Sequence, residues 1–158
     1  MKNIPNIKLT IEEYMRITEE QGFSKGGEGV ICTTDNPNTL YKFFKNPEND
    51  FLIDMPENKV KKIARLYQLE PSFSVKPLNT ISAGNYIVGY EMTYNPRFIP
   101  FKRACLSKQE KLEILKKIKV ALEYFQELNI VYGDVKSNNI LIEPQTGKIQ
   151  FCDMDNVQ

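Results

Sequence analysis

The chain has 158 residues, 41% of them apolar, and its 21 basic and 20 acidic residues leave a formal net charge of +1. That is enough apolar material for one or two compact units, and the near balance of charge recommends neither nucleic acid nor an anionic membrane surface as a partner. Histidine is absent, which excludes Ser-His and Cys-His dyads, H-E-x-x-H zinc sites and any imidazole base, so carboxylates and lysines must carry whatever acid-base chemistry there is.

Met1 to Thr10 lacks the charged, apolar and small-residue zones of a signal peptide, and no apolar run is long enough to span a bilayer. Thr10 with Glu13 forms a capping box, after which Ile11, Tyr14 and Met15 recur at helical spacing until Gly22. This short helix is expected to pack on the outside of a sheet. In FSKGGEGVI, Gly26, Gly27 and Gly29 lie between segments that favour strands; such a turn is most often a tight hairpin, but its glycines also let backbone N–H groups approach phosphates. A loop from Thr33 to Asn38 leads to a strand, Thr39 to Phe44, that presents Lys42. Cys32, Cys105 and Cys152 are an odd, dispersed set without a C-x-x-C pair, which fits reduced thiols in a cytoplasmic setting rather than a disulfide framework or zinc knuckle.

NPENDFLIDMPEN reads as a loop and NKVKKIARLYQLE as a helix with Val60, Ile63 and Leu66 on one face. Asp54 and Glu57 make a second capping pair around Pro56, and Lys59, Lys61, Lys62 and Arg65 read as a solvated face. Phe73 to Pro77 and Asn85 to Met92 are expected strands with a turn at Ser82 to Gly84. Asn95 to Leu106, with Pro96 and Pro100, should be irregular. Ser107 and Glu110 cap a long helix whose apolar stripe is Leu112, Leu115, Ile118, Leu122 and Phe125, with Glu113 and Lys117 paired on the wet face and Asn129 at its end.

The stretch VYGDVKSNNILIEPQTGKIQFCDMDN then gives a polar loop carrying Asp134, Lys136 and Asn139, a strand Ile140 to Ile142, a turn at Pro144 to Gly147, and a strand Ile149 to Cys152 that delivers Asp153 and Asp155. Asp and Asn in such places most often serve as turn and capping residues.

The pattern D-x-x-x-x-N, a hairpin and an aspartate resembles the catalytic and metal-binding loops of the protein-kinase-like fold. The resemblance implies an α+β chain: residues 1–94 as an N-lobe with a five-stranded antiparallel sheet, one helix of the lobe itself and the N-terminal helix outside it, and 95–158 as a truncated helical C-lobe. It implies Asp134 as the base that accepts a hydroxyl proton, Lys136 beside it, and Asn139 and Asp153 as magnesium ligands. Against G-x-G-x-x-G-x-V the residues are Ser24, Gly26, Gly29 and Ile31, with serine in place of the first glycine, and Gly27 beside them. Lys42, with Lys45 as a substitute, matches the lysine that contacts nucleotide phosphates, and Glu57 is either its helix partner or only a cap. YIVGYEM resembles the strand that runs into the hinge, where backbone groups near Glu91, Met92 and Thr93 would meet adenine and either Gly89 or Tyr90 would border the pocket.

The chain departs from the pattern in three places. Tyr132 and Gly133 stand for the His-Arg of H-R-D, so control through a phosphorylated activation loop is not expected; Asp-Met-Asp stands for D-F-G, with Asp155 expected to tolerate left-handed backbone and to offer a further metal oxygen; and no activation segment, A-P-E or substrate platform follows. Lys136 and the GGEG and D-x-D features are similar to atypical, bacterial-type Ser/Thr kinases. The implied activity is transfer of the γ-phosphoryl group of magnesium-bound ATP to a protein Ser or Thr hydroxyl, with a partner or a further C-terminal region completing the C-lobe. A nucleotide-binding pseudokinase acting as a docking module, or AMP transfer from the same site, are the alternatives.

Overall fold

Local sequence accounts for the two best-defined helix starts. Thr10 Oγ1 accepts the Glu13 amide at 3.1 Å while Glu13 Oε2 accepts the Thr10 amide at 2.7 Å, opening α1 (Ile11–Glu20). Ser107 and Glu110 repeat that exchange at 3.2 and 2.7 Å at the start of α3 (Lys108–Glu127). The computed structural model describes residues 3–25, 29–44 and 54–156, and the chain divides into two units, Met1–Leu69 with Lys76–Tyr94, and Glu70–Val75 with Asn95–Gln158.

The first unit is a mixed sheet flanked by helices. Its strands are β1 (Asn6–Leu9), β2 (Gly22–Lys25), β3 (Gly29–Thr33), β4 (Thr39–Phe44), β5 (Pro77–Ala83) and β6 (Tyr86–Thr93), in the order β1-β5-β6-β4-β3-β2. Among the described residues the sheet therefore has six strands, not five, and it is not wholly antiparallel, because β1 runs parallel to β5. Asn6 secures that pairing: its amide nitrogen donates to Ser82 Oγ at 2.9 Å and its amide oxygen accepts from Thr80 Oγ1 at 2.9 Å. The strand expected at Phe73 to Pro77 starts at Pro77 instead. Glu70 and Phe73 hold positive φ of 43° and 64°, and buried Pro71 lies between them, so the preceding segment turns rather than extends.

Side chains alternate across the sheet. On one face Phe43, Val30, Cys32, Ile81, Ala83 and Val88 pack against Tyr14 and Ile17 of α1, with the Tyr14 and Phe43 rings edge-to-face at 5.1 Å. Burying Phe43 completely makes it a residue whose truncation to alanine costs about 3–5 kcal/mol. Gly29 and Gly89 lie where strands leave no room: a Cβ would stand 2.3 Å from the Phe43 carbonyl oxygen at the first and 2.2 Å from that of Lys42 at the second. Helix α2 (Glu57–Leu69) buries Ile63 and Leu66. Asp54 does not cap it; its carboxylate accepts the Ile87 amide at 2.9 Å, and the Met55 amide donates to the Ile87 carbonyl, so this residue pair extends the edge of β6.

In the second unit α3 lies against a three-stranded sheet, β7 (Ile99–Pro100), β8 (Ile140–Glu143) and β9 (Lys148–Phe151), ordered β7-β8-β9. The face of α3 that is buried is Ile114, Ile118, Ala121 and Phe125, whereas Leu112 and Leu115, expected inside, are 48% and 54% exposed. Phe125 sets the phase: its ring meets Phe151 of β9 edge-to-face at 5.3 Å. Glu113 pairs with Lys116 at 2.8 Å rather than with Lys117, whose ammonium donates to the Gly147 carbonyl at 2.6 Å. The β8–β9 turn is the expected one, with Gly147 at φ 63° and buried Glu143 receiving Arg97 Nε at 3.2 Å and the Thr146 hydroxyl. No helix among the described residues is long and apolar enough to cross a membrane, and none of the three cysteines forms a disulfide.

Candidate active site

The chemistry-bearing loop hangs from the end of α3. Asn129, at φ 55°, turns the chain out of the helix, with its amide on the Gln126 carbonyl at 2.9 Å and the Ile130 amide on that of Phe125 at 2.8 Å. Ile130 and Tyr132 then point inward and are buried, and Asp134, past Gly133, is part exposed.

Asp134 is held as an anion. Its Oδ2 receives Lys136 Nζ at 2.7 Å and Asn139 Nδ2 at 2.7 Å, and Asn139 is itself 4% exposed. The hydrogen bond from Lys136 is the first cause of a carboxyl pKa held below its ordinary value; loss of hydration opposes it, and the Lys136 charge and the Asn139 bond add to it. The loop between these residues is closed by the Asn139 amide on the Lys136 carbonyl at 2.9 Å, and the Lys102 amide donates to the Ser137 carbonyl at 3.1 Å.

Asn139 also ties this loop to the strand that delivers Asp153. Its carbonyl accepts the Cys152 amide at 2.9 Å, and the Cys152 carbonyl in turn accepts the Tyr132 hydroxyl at 2.6 Å. The residue before Asp153 is thus gripped at both its backbone polar groups. Asp153 follows at φ 56°, a left-handed conformation that costs most side chains about 1–2 kcal/mol and that Asp tolerates better than most. The residue expected to need that tolerance, Asp155, instead sits in the short helical turn Met154–Asn156 and is fully buried, so its carboxylate does not face solvent.

In the sequence Tyr132 is only a departure from the pattern; in the structure it is the residue that fixes the Cys152–Asp153 peptide. Its ring stacks edge-to-face on Phe151 at 4.9 Å. Burial first, then the nearby Cys152 and Asp153, push its phenol pKa well above 10.0.

In the first unit Lys42 is not a solvated strand lysine: it is 5% exposed, with its ammonium 5.7 Å from the Phe44 ring centre. The register pairs Ile31, Lys42, Tyr90 and Thr80 across one face, so Tyr90 shares the face of Lys42 and Gly89 lies on the other. Glu57 is 82% exposed and pairs with Lys61 at 2.6 Å, which takes it from the pairing with Lys42 that the resemblance implied. Glu91 and Met92 lie within the β4 and β5 ladders, and the amides of Thr93 and Tyr94 donate to Lys76 and Asn38 at 2.9 and 2.7 Å. The donors of Thr93 and Tyr94 are therefore already engaged. Ser24 pairs in register with Ile31 on β2 and β3; Gly26, Gly27 and Lys45 lie outside the described residues.

The two units together define a mixed α+β chain whose second unit presents a carboxylate, a lysine and a carboxamide in hydrogen-bond contact. No family model matches the chain. A Drosophila melanogaster protein described as a non-specific serine/threonine protein kinase is 29% identical over 115 residues, 72% of this chain and 16% of that protein. The likeness supports a kinase-like relationship, and the chain spans about a sixth of that relative's length.

Proposed function

We propose that this chain belongs to a protein-kinase-like phosphotransferase that moves the γ-phosphoryl group of ATP, with magnesium, to a Ser or Thr hydroxyl of a protein. The observation that carries the reading is the meeting of Lys136 and Asn139 on one oxygen of Asp134, each at 2.7 Å. A carboxylate fixed as an anion and still part exposed is suited to receive a hydroxyl proton as that oxygen takes the phosphoryl group and ADP departs. Lys136, on the same carboxylate, would steady the phosphoryl group being transferred, and Lys42 would meet nucleotide phosphates.

Asn139 and Asp153 supply one carboxamide and one carboxylate oxygen, hard donors that fit magnesium rather than a thiolate- or imidazole-seeking ion. Among the described residues no three Cys, Asp or Glu converge on a common point, so the remaining donors would be water and phosphate oxygens, the usual company of magnesium. Bound there, the metal would neutralise charge on the phosphates.

The test is transfer of label from γ-labelled ATP to a mixed Ser/Thr peptide substrate. Asp134→Ala should lower transfer by about 10²- to 10⁴-fold with little loss of nucleotide affinity. Label arriving from α-labelled ATP instead would identify AMP transfer, and saturable ATP binding without transfer of either label would identify a docking module.

A further inference from the structure

A cavity of about 570 Å³ lies in the second unit, lined by no residue of the loop that carries Asp134, and is walled by Phe73, Val120 and three consecutive residues of β9, Lys148, Ile149 and Gln150. Successive strand residues point to opposite faces, so a cavity touched by all three opens on the edge of the strand. β9 is the last strand of its sheet. The ladder shows what that edge offers: Phe151 directs its amide and carbonyl outward, to the Phe73 carbonyl at 2.6 Å and the Val75 amide at 2.9 Å. Pairing alternates along an antiparallel strand, so Ile149, two residues earlier, also directs its amide and carbonyl away from β8 and toward the cavity.

The charge around this edge has one sign in excess. Lys116, Lys117 and Lys148 line the cavity against a single acid, Glu113. Glu113 is taken by Lys116, Lys117 spends one of its three protons on Gly147, and Lys148 makes no ion pair among the described residues. Val120, 56% exposed, supplies apolar wall at the mouth.

We propose that the β9 edge is a docking site for an extended peptide segment of a partner protein, one in which a carboxylate side chain adjoins an apolar residue. The segment would continue the strand-like pairing that residues 73–75 begin at Phe151, hydrogen-bonding to Ile149, seating its apolar side chain between Phe73 and Val120 and its carboxylate among Lys117 and Lys148. The site is independent of any phosphotransfer by the chain.

The experiment is fluorescence anisotropy of the 158-residue chain with a capped, fluorescein-labelled peptide alternating leucine and glutamate. Saturable binding that weakens with salt is expected. Lys148→Glu and Val120→Asp, both at exposed positions, should each weaken it by about tenfold or more, and Lys148→Glu should improve binding of a leucine–lysine peptide. The same leucine–glutamate peptide N-methylated on its backbone, which needs no protein variant, should not bind. Absence of saturable binding, equal binding by the parent and both variants, or undiminished binding of the N-methylated peptide would each overturn the proposal.

Discussion

Replacing Tyr132 by Phe deletes one oxygen and keeps the ring that stacks on Phe151 and Phe125. The Cys152 carbonyl then loses the donor it holds at 2.6 Å. A part-buried acceptor left without a partner costs about 1–2 kcal/mol, which in a chain of 158 residues lowers the midpoint of thermal unfolding by roughly 2–8 °C. Tyr124→Phe is the control, since among the described residues its hydroxyl meets only the Ser72 amide, at 3.4 Å, and should cost much less. The variants should also differ at high pH. The folded chain holds the Tyr132 proton above the ordinary 10.0, chiefly through burial. Stability from this group is therefore complete below pH 10 and declines as pH rises toward the folded value, because only the unfolded chain can ionise. Tyr132→Phe removes that alkaline loss. Thermal unfolding from pH 8 to 11 reads both effects, and a variant with the parent's midpoint and the parent's alkaline slope would refute the clamp.

Lys136→Ala removes the leading cause of the lowered Asp134 pKa, so the carboxyl should titrate at higher pH. The acid limb of any Asp134-dependent rate should move with it, and an NMR titration that finds the carboxyl unmoved would contradict the assignment. Asp153→Gly and Asp153→Ala both remove the carboxylate but differ in what they ask of a residue at φ 56°. The alanine variant should be about 1 kcal/mol or more the less stable by chemical denaturation, while any loss of magnesium-dependent ATP stabilisation should be common to both. Gly29→Ala pushes a methyl to 2.3 Å from the Phe43 oxygen and should cost about 1–3 kcal/mol; a variant as stable as the parent would mean the strands can part there freely.

What could be read from the sequence is what short range determines. The capping boxes at Thr10 and Ser107, the hairpin turn ending in Gly147 and the helix stop at Asn129 each have their partners within a few residues, and each stands as expected. The meeting of Asp134, Lys136 and Asn139 falls in the same class, spanning six residues of one loop. Long-range choices were not legible. Strand β1 is four residues whose alternation is no stronger than that of many loops, and only its pairing with β5 makes it a strand. The stripe of α3 is rotated from Leu112 and Leu115 to Ile114 and Ala121 because the helix answers to Phe151 and its neighbours, not to its own count of leucines. Asp54 and Lys117 each had a credible local partner and were claimed by another, the Ile87 amide and the Gly147 carbonyl, whereas Glu57, matched to the distant Lys42, is held by Lys61 four residues on. The clamp by Tyr132 is not legible because its partner is a backbone carbonyl 20 residues away, which leaves no mark in the pattern of side chains.

The pairing of β1 with β5 also bears on how the protein emerges from the ribosome. Asn6 precedes Thr80, which it hydrogen-bonds, by 74 residues, roughly 4–15 s at ordinary rates of translation. For that interval the nascent strand has no place in a sheet, and β5 in turn reaches the chain with an edge already waiting for it. Nascent chains halted before and after Thr80 has emerged should therefore hold a β1 segment that changes from protease-sensitive to protected.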